Sequence, residues 1–95
     1  MELHFEWDPK KAASNLRKHG VSFIEASEVF NDPLAIKLFD IDHSEHEERW
    51  VTIGSARNQR LVVAVHTWME DEHRIHIRII SARKATANET KQYEE

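Results

Sequence analysis

The sequence predicts an α+β fold in which two N-terminal helices pack on one face of a four-stranded antiparallel sheet, with a short helix closing the chain. Helix punctuation is concentrated before Pro33, and beyond it the apolar period drops from about 3.6 to 2. Near the end, Ile75, Ile77 and Ile79 interleave with Arg74, His76 and Arg78. That alternation gives the helices an isoleucine face to cover and leaves a polar face open as a shallow concave site. Burying each isoleucine is worth about 1.5–3 kcal/mol, enough to hold the register.

Residues 2–7 read as a short extended lead-in. Asp8 then caps a helix, Pro9 stands where its missing N–H costs nothing, and Gly20 ends the helix after His19. Along it Lys11, Asn15 and Lys18 fall at i, i+4 and i+7 with His19 alongside, while Ala12, Ala13 and Leu16 are expected to point toward the core. Taken alone, such a stripe is a solvated helix face. Ser22 and Glu25 form a capping box for a second helix, Val21 can staple to Ala26, and Phe23, Ala26, Val29 and Phe30 share one face. Asn31-Asp32-Pro33 stops that helix.

Four strands follow, at Leu34–Phe39, Arg49–Ser55, Arg60–Trp68 and Arg74–Ser81. The connections Ala56–Gln59 and Glu70–His73 are short enough for hairpins, so the later strands should form an antiparallel meander. His66 alternates with Val65 and is placed on the open face beside His76 and Arg78. Thr86-Ala87-Asn88-Glu89 is a second capping box, opening a helix that carries Tyr93.

A chain of 95 residues with 40% hydrophobic content, two glycines and two prolines reads as one globular domain over residues 1–95. Cysteine is absent, so no disulfide framework or thiol chemistry arises. No apolar run approaches membrane-spanning length, and Met1-Glu2-Leu3-His4 lacks the regions of a signal peptide; a cytoplasmic protein is expected. With 13 basic against 17 acidic residues, the net charge of −4 argues against coating nucleic acid by bulk charge. The charge is segregated: acids cluster in Asp40–Glu48, Glu70–Glu72 and Glu94–Glu95, cations in Lys10–Lys18 and Arg74–Lys84.

Arg78 and Arg83 bring two guanidinium groups to the end of a core strand just before a helix N-terminus, a place suited to phosphate, although ordinary surface ion pairs are the plainer explanation. Glu48 and Arg49 stand at the mouth of the second strand. The connection Asp40–Arg49 holds His43 and His46, which lack a ligand pair at structural-zinc spacing; the run reads as a solvated loop, and a metal-dependent hydrolase would rest on it. The chain has no phosphate-cradling glycine loop, nucleophile elbow or zinc-protease motif.

Taken in order, one set of residues resembles the BrnT ribonuclease toxins of bacterial type II toxin–antitoxin systems, whose fold is similar to RelE. They are Trp7-Asp8 with Lys11, Asn15 and Lys18-His19-Gly20; Phe23 with Ala26 and Phe30; His43-Ser44 and Glu48-Arg49 before Gly54; and Arg78-Ile79-Ile80-Ser81-Ala82-Arg83 with Ala85-Thr86, Glu89 and Tyr93. The resemblance implies an endoribonuclease that arrests translation, needs no metal or other cofactor, and is neutralised by a BrnA antitoxin in a heterotetramer of two toxins and two antitoxins. Operator DNA would be met only through the antitoxin. The 2′-hydroxyl would attack the adjacent phosphate, with Arg49, Arg78 and Arg83 as the cations. His19, Glu48, His66 and Tyr93 are candidates for proton transfer; His19 leads, being an imidazole beside a lysine. Lys11, Lys18, His66, His76 and Tyr93 would line the RNA path. The family usually carries further arginines after Thr86, where this chain has Ala87-Asn88-Glu89-Thr90-Lys91 and a thinner basic surface. The alternative is a non-catalytic module that holds a DNA-binding antitoxin and tunes repression, which the sequence pI of about 6.0 also suits.

Overall fold

The computed structural model describes residues 2–95. Its elements run β1 (Glu2–Glu6), α1 (Pro9–His19), α2 (Phe23–Glu28), β2 (Ile36–Phe39), β3 (Arg49–Ser55), β4 (Leu61–Thr67), β5 (Met69–Glu70), β6 (Arg74–Lys84) and α3 (Ala87–Glu94), with 3₁₀ turns at Val29–Asn31 and Ile41–His43. The α+β class matches expectation; the sheet does not. It has six strands in the order β1-β6-β4-β3-β2, with β5 also on β6, and it is mixed, because β1 runs parallel to β6. The extended lead-in is thus a strand whose partner, Arg74–Arg78, lies some seventy residues away. β5 continues the β4 arm of the hairpin past Trp68, and β6 extends to Lys84. At β2, Leu34 and Ala35 are spent on a turn closed by Asp32, so the strand begins at Ile36.

Local signals explain both ends of α1. The Asp8 carboxylate accepts from the Lys10 N–H at 2.8 Å, and Gly20, left-handed at φ 68°, donates its N–H to the Leu16 carbonyl. Thr86 and Glu89 make both halves of the expected capping box at α3. At α2 only half forms: Ser22 Oγ accepts from the Glu25 N–H, while the Glu25 carboxylate is taken by Arg60 and Asn58. The bidentate guanidinium outcompetes a single backbone donor.

Helices α1 and α2 cover one face of the sheet, and the core there joins Val21, Phe23, Ala26 and Val29 to Val62, Ala64, Ile77, Ile79 and Ala82. Gly54 permits the contact between β3 and the Val29 turn, since an added Cβ would stand 2.9 Å from Val29 Cβ. Ala12 packs against this core, but Ala13 and Leu16 do not; Leu16 is 50% exposed. The reason is that α1 turns Asn15 inward. Its Nδ2 donates to the carbonyls of Val21 at 3.0 Å and Ala82 at 2.8 Å, and its Oδ1 accepts from the Ala82 N–H at 3.1 Å. β1 pairs with β6 only as far as Arg78, so the Asn15 amide takes up backbone groups on the stretch of β6 edge that β1 leaves bare.

Candidate active site

The face of the sheet away from α1 and α2 is ordered in rows by the strand register. One row holds Arg49 opposite Thr67, with Arg78 beyond; the next holds Leu38, Val51, Val65 and Ser81; a third holds Ile36, Ile53, Val63 and Arg83. Rows two residues apart stand about 7 Å from one another. The third row is roofed by α3, because Glu89 on that helix accepts two hydrogen bonds from Arg83, at 2.7 and 2.8 Å. The first two rows stay open.

A β-bulge puts the two β6 arginines on this face together. Arg83 follows Arg78 by five positions, an odd offset that in a regular strand sends them to opposite faces. The register shifts between Val65 and His66, which pair with Ser81 and Ile79, so Ile80 is the extra residue and the phase flips beyond it. Ile77, Ile79 and Ala82 consequently share the helix-covered side and are buried, while Arg78, Ser81 and Arg83 share the other.

Each arginine is engaged by a carboxylate. Arg78 Nη2 donates to both oxygens of Glu47, at 2.7 and 2.6 Å, and Arg49 Nη2 lies 3.7 Å from the same group. The Arg49 Nε is buried without a hydrogen-bond partner among the described residues. Arg83 holds the Glu89 carboxyl down to about 2. The sequence points to Glu48, which is exposed, and not to its neighbour Glu47. No local pattern singles Glu47 out among the acids of the Asp40–Glu48 run.

Lys11, Ser14, Asn15, Lys18 and His19 line a cleft of about 210 Å³ with Ile80 and Ser81. The α1 stripe therefore borders the second row at the bulge, and His19 shares this cleft with both lysines. His76 donates its Nε2–H to Asp71 at 2.8 Å and meets His4 edge-on at 5.4 Å. With the amides of His73 and Arg74, that bond to His76 holds Asp71 at about 2. Tyr93 donates its hydroxyl to Asp32 at 2.6 Å, which raises the phenol above its ordinary value and ties α3 to the far end of the sheet.

His66 is not beside His76. It lies opposite Ile79, and directly paired residues face the same way, so it sits on the helix-covered side and is fully buried. Nε2 bonds Thr52 Oγ1 at 2.7 Å, Nδ1 bonds the Thr67 carbonyl at 2.8 Å, and Phe30 packs edge-on at 4.8 Å. Desolvation pushes its titration down to about 4. In the Asp40–Arg49 loop, His43 bonds Asp40 at 3.1 Å, and among the described residues no group of three or more His, Asp or Glu is placed to hold a metal ion.

A family model described as "Ribonuclease toxin, BrnT, of type II toxin-antitoxin system" matches residues 7–89, which span α1, α2, the rows and the bulge. The chain belongs to the BrnT family. Its system therefore includes a cognate antitoxin. The fold is similar to that in the crystal structure of the Brucella abortus ribonuclease toxin BrnT, with a TM-score of 0.63, 19% sequence identity, and coverage of 90% of this chain and 99% of that one. No curated protein sequence matches. The BrnT match runs from Trp7 to Glu89, so β1 and Tyr93 lie outside it. No helix among the described residues is long and apolar enough to cross a membrane.

Proposed function

We propose that this BrnT chain, read as one unit over residues 1–95, cuts RNA on the open sheet face by attack of a ribose 2′-hydroxyl on the adjacent phosphate, with no metal taking part. The observation that carries the reading is the bulge at Ile80, which sets Arg78 and Arg83 on the same face as Arg49. Arg49 and Arg78 hold the scissile phosphate and stabilise the charge that builds on its oxygens. Arg83 meets the strand one or two phosphates away, Lys11 and Lys18 carry the backbone along the α1 cleft, and His76 meets it two residues before Arg78 on β6. His19 takes the 2′-proton, favoured over His66, which is buried, and over Tyr93, which is committed to Asp32. Glu48, exposed at the mouth of β3, is the candidate acid for the leaving oxygen.

The antitoxin is BrnA-like, covers the same open face, forms a complex of two toxins and two antitoxins, and alone touches operator DNA; the toxin acts on translation in the cytoplasm. Hydrogen exchange of the complex should show protection around His19, Arg49 and Arg78, and a footprint confined to Asp40–Glu48 would remove this arrangement.

The decisive experiment uses purified chain freed of its antitoxin. RNA should be cut in the presence of chelator, giving cyclic phosphate first, and a 2′-deoxy or 2′-methoxy group at the cleaved nucleotide should block cutting. His19→Gln should slow the reaction roughly 10²–10⁴-fold. Products with 3′-hydroxyl ends that vanish with chelator would overturn the mechanism. A second reading, a non-catalytic partner that holds the antitoxin and tunes repression, draws on the engagement of Arg49, Arg78 and Arg83 by Glu47 and Glu89; failure to cut any RNA would favour it.

A further inference from the structure

We propose that Glu47 is an internal stand-in for the substrate phosphate, which RNA must displace before it can be held by Arg49 and Arg78. The inference rests on the reading of the open face given above. One carboxylate spans both guanidinium groups, presenting two oxygens to Arg78 at 2.6 and 2.7 Å and one to Arg49 at 3.7 Å. A phosphodiester offers the same pair of charged oxygens at similar spacing, so the two anions compete for one place.

The backbone around Glu47 is suited to such an exchange. Residues 45–47 are bends with no strand partner, whereas the base of the loop is closed firmly: the Asp40 N–H donates to the Arg49 carbonyl at 2.8 Å, and Ser44 Oγ accepts from the Arg49 N–H at 3.1 Å. Glu47 can swing out without opening the sheet. Arg78 is meanwhile kept in place from the strand side, its N–H donating to Thr67 Oγ1 at 3.1 Å. The Arg49 Nε, buried and unbonded among the described residues, leaves one donor of that guanidinium uncommitted to the carboxylate. Both members of the Glu47–Arg78 pair are over a third exposed, and pairs of that kind are weak, so displacement is easy.

The test measures binding of a short 2′-O-methyl RNA, which cannot be cut by 2′-hydroxyl attack, to the full chain. Glu47→Gln should bind roughly three- to tenfold tighter, the range expected on freeing an exposed ion pair, with Glu47→Ala behaving alike. The affinity should also fall more steeply with salt, by about one further phosphate contact. Removing Glu47 in an Arg78→Ala background should give a much smaller gain, because Arg78 holds both carboxylate oxygens and Arg49 only one at longer range. Equal or weaker binding by folded Glu47→Gln and Glu47→Ala, or a gain undiminished by loss of Arg78, overturns the proposal. If the wild-type chain cuts no RNA yet the Arg78-dependent gain appears, the ribonuclease mechanism fails and this inference stands; if unmodified RNA is cut and no gain appears, this inference alone falls.

Discussion

The carboxamide of Asn15 holds both backbone groups of Ala82, donating to its carbonyl at 2.8 Å and accepting from its N–H at 3.1 Å, as a neighbouring strand would. Through this one side chain α1 is docked on the edge of β6, and Lys11, Lys18 and His19 are brought to the cleft at the bulge. Asn15→Ala should therefore cost roughly 2–5 kcal/mol, since it strands the Ala82 N–H and carbonyl together with the Val21 carbonyl in a buried place. Asn15→Asp should be no better: it keeps the acceptor, loses both donated bonds and buries a charge. Urea unfolding checks both, and a loss below about 0.5 kcal/mol in Asn15→Ala would mean that the edge finds other partners.

Burial of His66 predicts a pH dependence whose sign is fixed. Its folded pKa, about 4, lies below the ordinary 6.5, so the unfolded chain binds the extra proton between those values and stability rises with pH across that window. The contribution is complete above about 6.5 and is lost as pH falls toward 4, amounting to roughly 3 kcal/mol at most. Urea midpoints from pH 8 to 4 should fall accordingly in the wild type, and the part of the slope between 6.5 and 4 should shrink in His66→Gln. An unchanged slope in the variant would assign the titration to other groups.

The anchoring of α3 by Arg83 can be separated from its proposed role on RNA. Its bonds to Glu89 anchor α3, and the depressed Glu89 pKa, about 2 against an ordinary 4.5, contributes stability that is present above 4.5 and lost as pH falls through 2. Glu89→Gln should loosen α3 while leaving the guanidinium on the open face, so growth inhibition should persist. Arg83→Ala should abolish growth inhibition while the chain still folds and binds its antitoxin. Equal toxicity in both folded variants would confine Arg83 to anchoring.

What could be read along the chain was what is decided within a few residues. The Asp8 cap, the Gly20 stop and the Thr86–Glu89 box each close bonds over two to four positions, and each appears as expected. The Ser22–Glu25 box failed in its second half because Arg60, thirty-five residues away, offered Glu25 a stronger partner. The candidate arginines were legible as residue types; their gathering on one face was not, because simple alternation places Arg78 and Arg83 on opposite sides. Glu47 is not legible in the sequence for a related reason: a single loop carboxylate among many gains meaning only from the guanidinium groups it meets.

By itself the sequence determined the α+β class, the limits of α1, the isoleucine face of β6 and the basic stripe of α1, since turn chemistry and hydrophobic period act locally. Only the tertiary structure decided the sixth-strand pairing of β1 with β6, the burial of His66, the docking role of Asn15 and the bulge that assembles the candidate site. Strand register is the physical reason. A shift of one residue exchanges the two faces of a sheet, and that choice is made by packing between strands distant in sequence, where no local pattern records it.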